Sequence, residues 1–153
     1  MNLKILLTKP LQQESIPKWI IITLLIVALL GFIDATYLTI EHFQNNIPPC
    51  TTDGCEKVLT SSYSEVIGIP VALLGSIYYF TILVLLIAYF DSKKEILLRL
   101  TMLLTPLGFL ASLYFFILQA AVINAFCQYC LVSAVTSTVL FVFSMYSFAK
   151  YRE

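Results

Sequence analysis

The sequence predicts an all-α fold: an integral membrane bundle of four helices with both termini in the cytoplasm. Its 153 residues are 59% hydrophobic and only 12% charged, whereas a soluble domain carries about 25% charged residues. Four apolar stretches are each long enough to cross a bilayer as a helix, which takes about 20 residues. Basic residues are concentrated at the ends of the stretches that would lie on one side of the membrane. This bias predicts which side is cytoplasmic and therefore the orientation of each helix.

The apolar stretches and the polar segments between them form one membrane domain, residues 1–153. Few charges fall inside the stretches: Asp34 and Glu41 in the first, and Arg99 near the start of the third. Because backbone groups in lipid must be hydrogen-bonded within the segment itself, stretches of this length are expected to be helices. The predicted helices cover residues 19–43, 71–90, 96–123 and 129–149, and an outer redox loop covers residues 44–69.

The distribution of basic residues predicts which side of the membrane each connection occupies. Only Lys57 lies in the outer loop, against eight basic residues at the other stretch ends. Those eight are Lys4, Lys9, Lys18, Lys93, Lys94, Arg99, Lys150 and Arg152. Since cytoplasmic loops are enriched in Lys and Arg, we expect a multi-pass protein of the cell (inner) membrane. Its outer loop then lies on the extracytoplasmic side, where disulfides persist.

Two of the four cysteines, Cys50 and Cys55, lie in the outer loop. Pro48 and Pro49 break the preceding helix, and residues 51–54 form a turn because Asp and Gly suit that backbone. The turn can bring the two cysteines close enough to bond. Two interpretations stay open, a mobile redox shuttle or a disulfide that only staples the loop. A short interfacial helix is expected within residues 56–63.

The other two cysteines form the sequence Cys127-Gln-Tyr-Cys130 where the fourth helix begins. A helix N-terminus and this spacing both lower the pKa of a thiol, and such pairs are typical of redox proteins. We expect Cys127 to be the exposed member, which another thiol can reach. Cys130 lies one turn, about 5 Å, deeper and faces the bundle interior. Electrons would then enter at Cys127 and leave from Cys130 to an acceptor within the membrane.

Zinc binding is a further alternative for four cysteines, because thiolates are common zinc ligands. An oxidising compartment and a pair embedded at a membrane surface both suit zinc poorly. We therefore expect no metal, and no nucleic acid either, since the net charge is zero.

Six short motifs occur in order along the chain. They are the run from Asp34 to His42, Cys50-x4-Cys55, the run from Val58 to Ser64, Gly68-Ile-Pro70, Leu74-Gly75, and Cys127-Gln-Tyr-Cys130. In combination they resemble the bacterial homologues of vitamin K epoxide reductase, over about residues 20–148. A second four-helix family linked to quinones, the disulfide bond protein B type, has its Cys-x-x-Cys in the first outer loop. Here that motif comes last, which argues against the second family.

The resemblance implies a role for each cysteine. Bacterial members of the family oxidise a thioredoxin-like partner outside the cytoplasm and pass the electrons to a membrane quinone, either ubiquinone or menaquinone. By position, Cys50 would form the mixed disulfide with the partner and Cys55 would relay to Cys127. Cys130 would face the quinone.

The same resemblance bears on four other positions. Ser61 matches a serine that the family places near the active site. An asparagine and a tyrosine that contact the quinone in the vertebrate enzymes are replaced here by Val71 and Ala134, so epoxide reduction is a less expected activity. Many members carry a thioredoxin-like domain after the fourth helix. The sequence stops at Glu153, so the partner is expected to act in trans.

Several residues within the helices are candidates for the quinone end of the path. Asp34 is an intramembrane carboxylate and could move a proton linked to quinone reduction, or could serve only in packing. Tyr78, Tyr79 and Phe115 could line a quinone site, although bundle packing or lipid contact explains them equally well. His42 is either a proton donor near the outer surface or an interfacial residue at a helix end.

The sequence thus predicts a quinone-dependent thiol oxidase that generates disulfides de novo. One alternative is a reductant exporter running in the opposite direction, but it needs an electron donor on the cytoplasmic side, where no cysteine is expected. The other alternative is a membrane subunit whose two disulfides are purely structural.

Overall fold

The structure, a computed structural model, describes residues 16–51 and 54–151. Within them, four long helices and a small outer subdomain form the fold. The helices are α1 (Lys18–Phe43), α2 (Cys55–Leu59), α3 (Val71–Ser92), α4 (Glu95–Ile117) with a π-helical continuation (Leu118–Ile123), and α5 (Gln128–Tyr151). Two short strands, β1 (Glu65–Val66) and β2 (Ile69–Pro70), precede α3.

The four long helices α1, α3, α4 and α5 are each long and apolar enough to cross a membrane. Their most apolar windows have mean hydropathies between 1.7 and 2.4, and a span needs about 20 apolar residues. The predicted all-α, four-helix membrane fold is thereby confirmed. Its orientation stays a prediction, and Lys4, Lys9 and Arg152, on which it partly rests, lie outside the described residues.

The long helices form a ring in which α1 packs against α3 and α5, and α4 packs against the same two helices. The chain runs up and down, so α1 ends where α3 and α5 begin. We call this end of the bundle, which carries the outer loop, the loop end. The opposite end, with the start of α1 and the Lys93–Lys94 turn, is the terminal end.

The helix surfaces that face away from the bundle are apolar. On α1, for example, Ile22, Ile26, Leu29 and Ile33 are between 47% and 57% exposed. A soluble helix would present polar side chains there. The pattern is that of helices surrounded by lipid, in which both the interior and the exterior are apolar.

The half of the bundle nearer the terminal end contains most of the packed core. The buried members of this core are Ile16, Ile20, Ile21, Leu24, Ala28, Ala35, Tyr79, Ile82, Leu86, Tyr89, Leu98, Met102 and Leu140. Most come from the first half of α1, the second half of α3 and the first half of α4. The half nearer the loop end contains a large cavity instead.

The outer loop folds into a small cap over the loop end. Its helix α2 spans Cys55–Leu59, so it begins one residue before the expected range of residues 56–63 and ends within it. The antiparallel pair β1–β2 follows, with Ile67 and Gly68 both at positive φ, as tight hairpin turns require. The hairpin leaves no clear pattern in the sequence, because each strand is only two residues long.

Candidate functional site

Cys50 and Cys55 are joined by a disulfide, with their Cα atoms 6.2 Å apart. The two cysteines are therefore at bonding distance, as the sequence indicated, while residues 52 and 53 of the expected turn lie outside the described residues. Cys55 is the first residue of α2 and is only 1% exposed, whereas Cys50 is partly exposed. The two sulfurs of this disulfide are thus unequal: Cys50 is the one that a soluble thiol can approach.

Cys127 and Cys130 are free thiols at the start of α5. Cys127 is 0% exposed, so the expectation that it is the exposed member of the pair is wrong. The outer loop lies over it, and Cys55 and Val58 of α2 are buried in the same cluster. A sequence cannot reveal this burial, because it results from the loop folding back over a helix start more than 70 residues away.

All four cysteines meet in one apolar cluster at the loop end. Cys55, Val58 and Cys127 form its buried centre. Packed around them are Cys50, Leu59, Ile123, Ala125, Tyr129 and Cys130. The loop disulfide and the Cys-x-x-Cys thiols are therefore contiguous, which is the arrangement that thiol–disulfide exchange requires.

The backbone at Cys127 is held by Gln119 in the π-helical segment before it. The Cys127 amide donates to Gln119 Oε1 at 2.9 Å, and the Ala125 amide donates to the Gln119 carbonyl at 3.1 Å. Gln119 is itself only 3% exposed. Sequence reasoning missed this residue, although an amide side chain near the end of an apolar span was a signal that could have found it.

The pKa of the Cys127 thiol is lowered from 9.0 to about 7. The main cause is a hydrogen bond that the Cys130 thiol donates to the Cys127 sulfur, with the backbone amides of Cys130 and Tyr129 adding to it. Burial opposes the shift because it disfavours a charge. The hydrogen bond thus favours the thiolate on Cys127 and the proton on Cys130.

A cavity of about 860 Å³ occupies the loop-end half of the bundle. Cys130 lies in its wall, and Cys127 does not. The five residues that the sequence analysis selected for the quinone end all line this same cavity. They are Asp34, Ser61, Tyr78, Tyr79 and Phe115. Val71 and Ala134 line the cavity as well. Apolar side chains therefore occupy the two wall positions at which the vertebrate enzymes have polar contacts to the quinone.

The polar groups of the cavity differ in whether the protein already satisfies them. The Tyr79 hydroxyl donates to the Ser133 carbonyl at 2.9 Å and lies 2.8 Å from Thr136 Oγ1. By contrast, Asp34 Oδ2 and the Tyr78 hydroxyl are buried with no hydrogen-bond partner among the described residues. Since buried polar atoms are rarely left unpaired, these two atoms are the ones available to a ligand.

Polar residues of the outer loop and of α1 line the outer part of the cavity. His42 Nε2 lies 3.2 Å from Glu65 Oε1, which joins the end of α1 to the hairpin. The Ser61 hydroxyl donates to the Val58 carbonyl at 2.7 Å and so stabilises the end of α2. Among residues 16–51 and 54–151, no group of three or more His, Cys, Asp or Glu side chains could hold a metal ion.

Comparison with known proteins agrees with this geometry. The model of the vitamin K epoxide reductase family matches residues 22–145, a segment that contains all four cysteines and the cavity-lining helices. None of the curated proteins matches the chain. The chain therefore belongs to the vitamin K epoxide reductase family, a family of membrane oxidoreductases that act on thiols.

Proposed function

We propose that the protein is a quinone-dependent thiol oxidase that generates disulfides de novo and passes them to a thioredoxin-like partner. The observation that carries the proposal is the continuity of the site. One cluster joins the partly exposed Cys50, the buried Cys55 and Cys127, and Cys130, which lines the cavity. A disulfide that only stabilised the loop would not need to lie against a second pair of thiols.

The relay begins at the loop disulfide. A thiolate of the partner attacks the Cys50 sulfur and releases Cys55 as a thiolate. The second thiol of the partner then attacks the mixed disulfide and releases Cys50, so the partner leaves oxidised and the loop is reduced. The burial of Cys127 under the closed loop favours attack by the partner at Cys50 over attack at Cys127.

The second exchange is internal. The Cys55 thiolate attacks Cys127 in a Cys127–Cys130 disulfide, and Cys130 leaves as the thiolate. Cys50 then closes the loop disulfide again and releases Cys127. Two electrons have moved from the loop to the Cys127–Cys130 pair, which corresponds to the redox state of the four cysteines in this structure.

The cavity supports a quinone as the electron acceptor. Its volume of about 860 Å³ lies in the usual range of ligand pockets, about 300–1,000 Å³. Among its walls, the unpaired Tyr78 hydroxyl can donate to a carbonyl oxygen, and Asp34 can hold and pass a proton. A bound quinone supplies the capacity to take up two electrons and two protons. Cys130 is the thiol in contact with that space.

We further infer that the loop end faces the extracytoplasmic side of the cell membrane. Lys93 and Lys94 lie at the terminal end of the bundle, while Lys57 lies in the cap, and basic residues favour the cytoplasmic side. A fluorescent protein that folds only in the cytoplasm, fused after Glu153, should therefore fluoresce. A full-length fusion that does not fluoresce would indicate the opposite orientation.

The decisive test is quinone reduction by the purified protein in nanodiscs, with a short-chain ubiquinone analogue and a reduced thioredoxin-like protein. We expect turnover with the parent protein and a loss of at least about 100-fold with Cys130→Ala, because the thiol that faces the quinone is absent. The matched control is Val132→Ala, on an outward face of the same turn and 46% exposed. Full activity of Cys130→Ala, or no quinone reduction by the parent protein, would overturn the proposal.

A further inference from the structure

The two residues inside the Cys-x-x-Cys sequence are bonded to the outer loop on both sides of Cys50. Gln128 Oε1 accepts from the Thr51 hydroxyl at 2.6 Å and from the Thr51 amide at 3.3 Å. Gln128 Nε2 also donates to the Pro49 carbonyl at 3.5 Å, and the Tyr129 hydroxyl donates to the same carbonyl at 2.8 Å. The immediate neighbours of Cys50 in the chain are thus tied to the segment between Cys127 and Cys130.

A second contact holds the other end of the loop disulfide. Gly54, which precedes Cys55, lies so close to Phe126 that a Cβ at Gly54 would be 2.5 Å from the Phe126 carbonyl oxygen. The ring of Tyr129 is meanwhile packed against Tyr37 of α1, with centroids 5.6 Å apart. The Tyr129 hydroxyl is therefore presented to the loop by a side chain that is fixed to the bundle.

We propose that Gln128 and Tyr129 are positioning residues, which latch the loop disulfide onto Cys127 during the internal exchange and release it to the partner. The proposal rests on the proposed function for its role in catalysis. The latch itself can be tested without quinone or partner. Both residues act through the loop backbone, so neither needs to touch the reacting sulfurs.

The latch has opposite effects on the two exchanges. When it is closed, Cys55 and Cys127 share one buried cluster, and the Cys55 thiolate can attack the Cys127 sulfur. When it is open, Cys50 is free to enter the active site of a partner and Cys127 loses its cover. Neutral hydrogen bonds suit this task, because each contributes little enough that partner binding can replace it.

The exposure of Cys127 reports directly on the latch. In a Cys130→Ser background with the loop disulfide intact, Cys127 is the one free thiol, because the sequence has four cysteines. Since Cys127 is 0% exposed, a water-soluble maleimide can reach it only after the loop opens, and its rate follows the open population. Rates are compared at equal thiolate fraction, taken from the pH dependence of each variant.

We expect Tyr129→Phe to raise the alkylation rate of Cys127 about three- to tenfold, because the hydroxyl that bonds the Pro49 carbonyl and the Tyr37 side chain is lost. The packing of the ring against the Tyr37 ring remains, so the melting temperature should change little. Tyr114→Phe is the matched control, because Tyr114 is 56% exposed and does not line the cavity. Its alkylation rate should equal that of the background.

A double-mutant cycle separates a latch from a general loosening of the cap. Thr51→Val and Gln128→Met each remove one side of the 2.6 Å hydrogen bond while keeping side-chain size. If the two residues act through each other, the double variant should be alkylated little faster than the faster single variant. Independent multiplication of the two effects would contradict the pairing.

Turnover gives a third readout, with quinone and a reduced partner present. Tyr129→Phe should lower kcat about three- to tenfold, because the loop is less often in place for the internal exchange, and should leave the KM for quinone unchanged. Unchanged alkylation in both Tyr129→Phe and Thr51→Val would overturn the latch. Faster alkylation in a protein that reduces no quinone would keep the latch and overturn the proposed function instead.

Discussion

At the scale of single residues, neighbours in sequence have quite different tasks. Tyr78 and Tyr79 both line the cavity, yet the hydroxyl of Tyr79 is bonded to α5 and that of Tyr78 has no partner among the described residues. Cys127 and Cys130 divide in the same way, since Cys127 is buried under the loop and Cys130 lines the cavity. Each pair therefore has one member whose polar atom is bonded to or covered by the protein and one whose polar atom remains available in the cavity wall.

The tyrosine pair gives a sharp comparison between Tyr78→Phe and Tyr79→Phe. Tyr78→Phe should raise the KM for a short-chain quinone about three- to tenfold and leave stability nearly unchanged, because only a ligand contact is lost. Tyr79→Phe should lower the free energy of unfolding by about 1–2 kcal/mol, because the Ser133 and Thr136 groups lose a buried partner. Kinetics and thermal unfolding in the same nanodiscs check both. A stability loss confined to Tyr78→Phe would contradict the assignment.

The lowered pKa of Cys127 predicts a titration near neutral pH. At pH 7 a thiol with a pKa of about 7 is about half thiolate, against about one per cent for an ordinary thiol. The absorbance of thiolate at 240 nm should therefore rise through about pH 7 in the protein with its loop disulfide intact. Cys130→Ala removes the hydrogen-bond donor and should move this midpoint upward. A first midpoint above about pH 8.5 in the parent protein would contradict the mechanism.

At the scale of elements, the helices α1 and α3, which both line the cavity, pack closely against each other. Gly31 of α1 faces the ring of Tyr79 on α3 with no space for a methyl group. Gly75, on α3, is roomier: a Cβ there would meet the Ala35 Cβ at an ordinary 3.6 Å. Small residues at such positions let transmembrane helices approach each other, and here only one of the two glycines is required for space.

Gly31→Ala should therefore destabilise the bundle, and Gly75→Ala should not. The added methyl group displaces the Tyr79 ring, which is 2% exposed and bonded to α5, and overpacking of this kind costs about 1–3 kcal/mol. Thermal unfolding followed by circular dichroism in nanodiscs measures both variants. Equal melting temperatures for the two would show that α1 and α3 can separate without cost.

The sequence predicted the long helices better than the site that they surround. Hydropathy marks a span directly, because lipid imposes the same requirement on every residue in it. The burial of Cys127 under α2, the support from Gln119 and the bonds from Gln128 and Tyr129 to the loop depend on contacts between distant segments. The candidate cavity residues were found because polar and aromatic side chains within a span are unusual, and they converge on one space.

At the scale of the whole molecule, the bundle is divided into two halves with different contents. The half near the loop end holds the cysteine cluster, the cavity and the His42–Glu65 pair. The half near the terminal end holds most of the packed side chains, with Ile20, Ile82 and Leu86 all at 0% exposure. The proposed chemistry is thus confined to one half of the bundle, and packed side chains seal the other half.

That seal has an energetic consequence for the cell. In the proposed reaction, the protons released by the dithiol and those taken up by the quinone would both exchange with water at the loop end, because the cysteine cluster and the cavity lie there. Two electrons and two protons would then travel together over a short path, and the proposed reaction would move no charge across the membrane. Membrane voltage neither drives nor opposes such a reaction, so its direction depends only on the redox potentials of the partner and of the quinone pool.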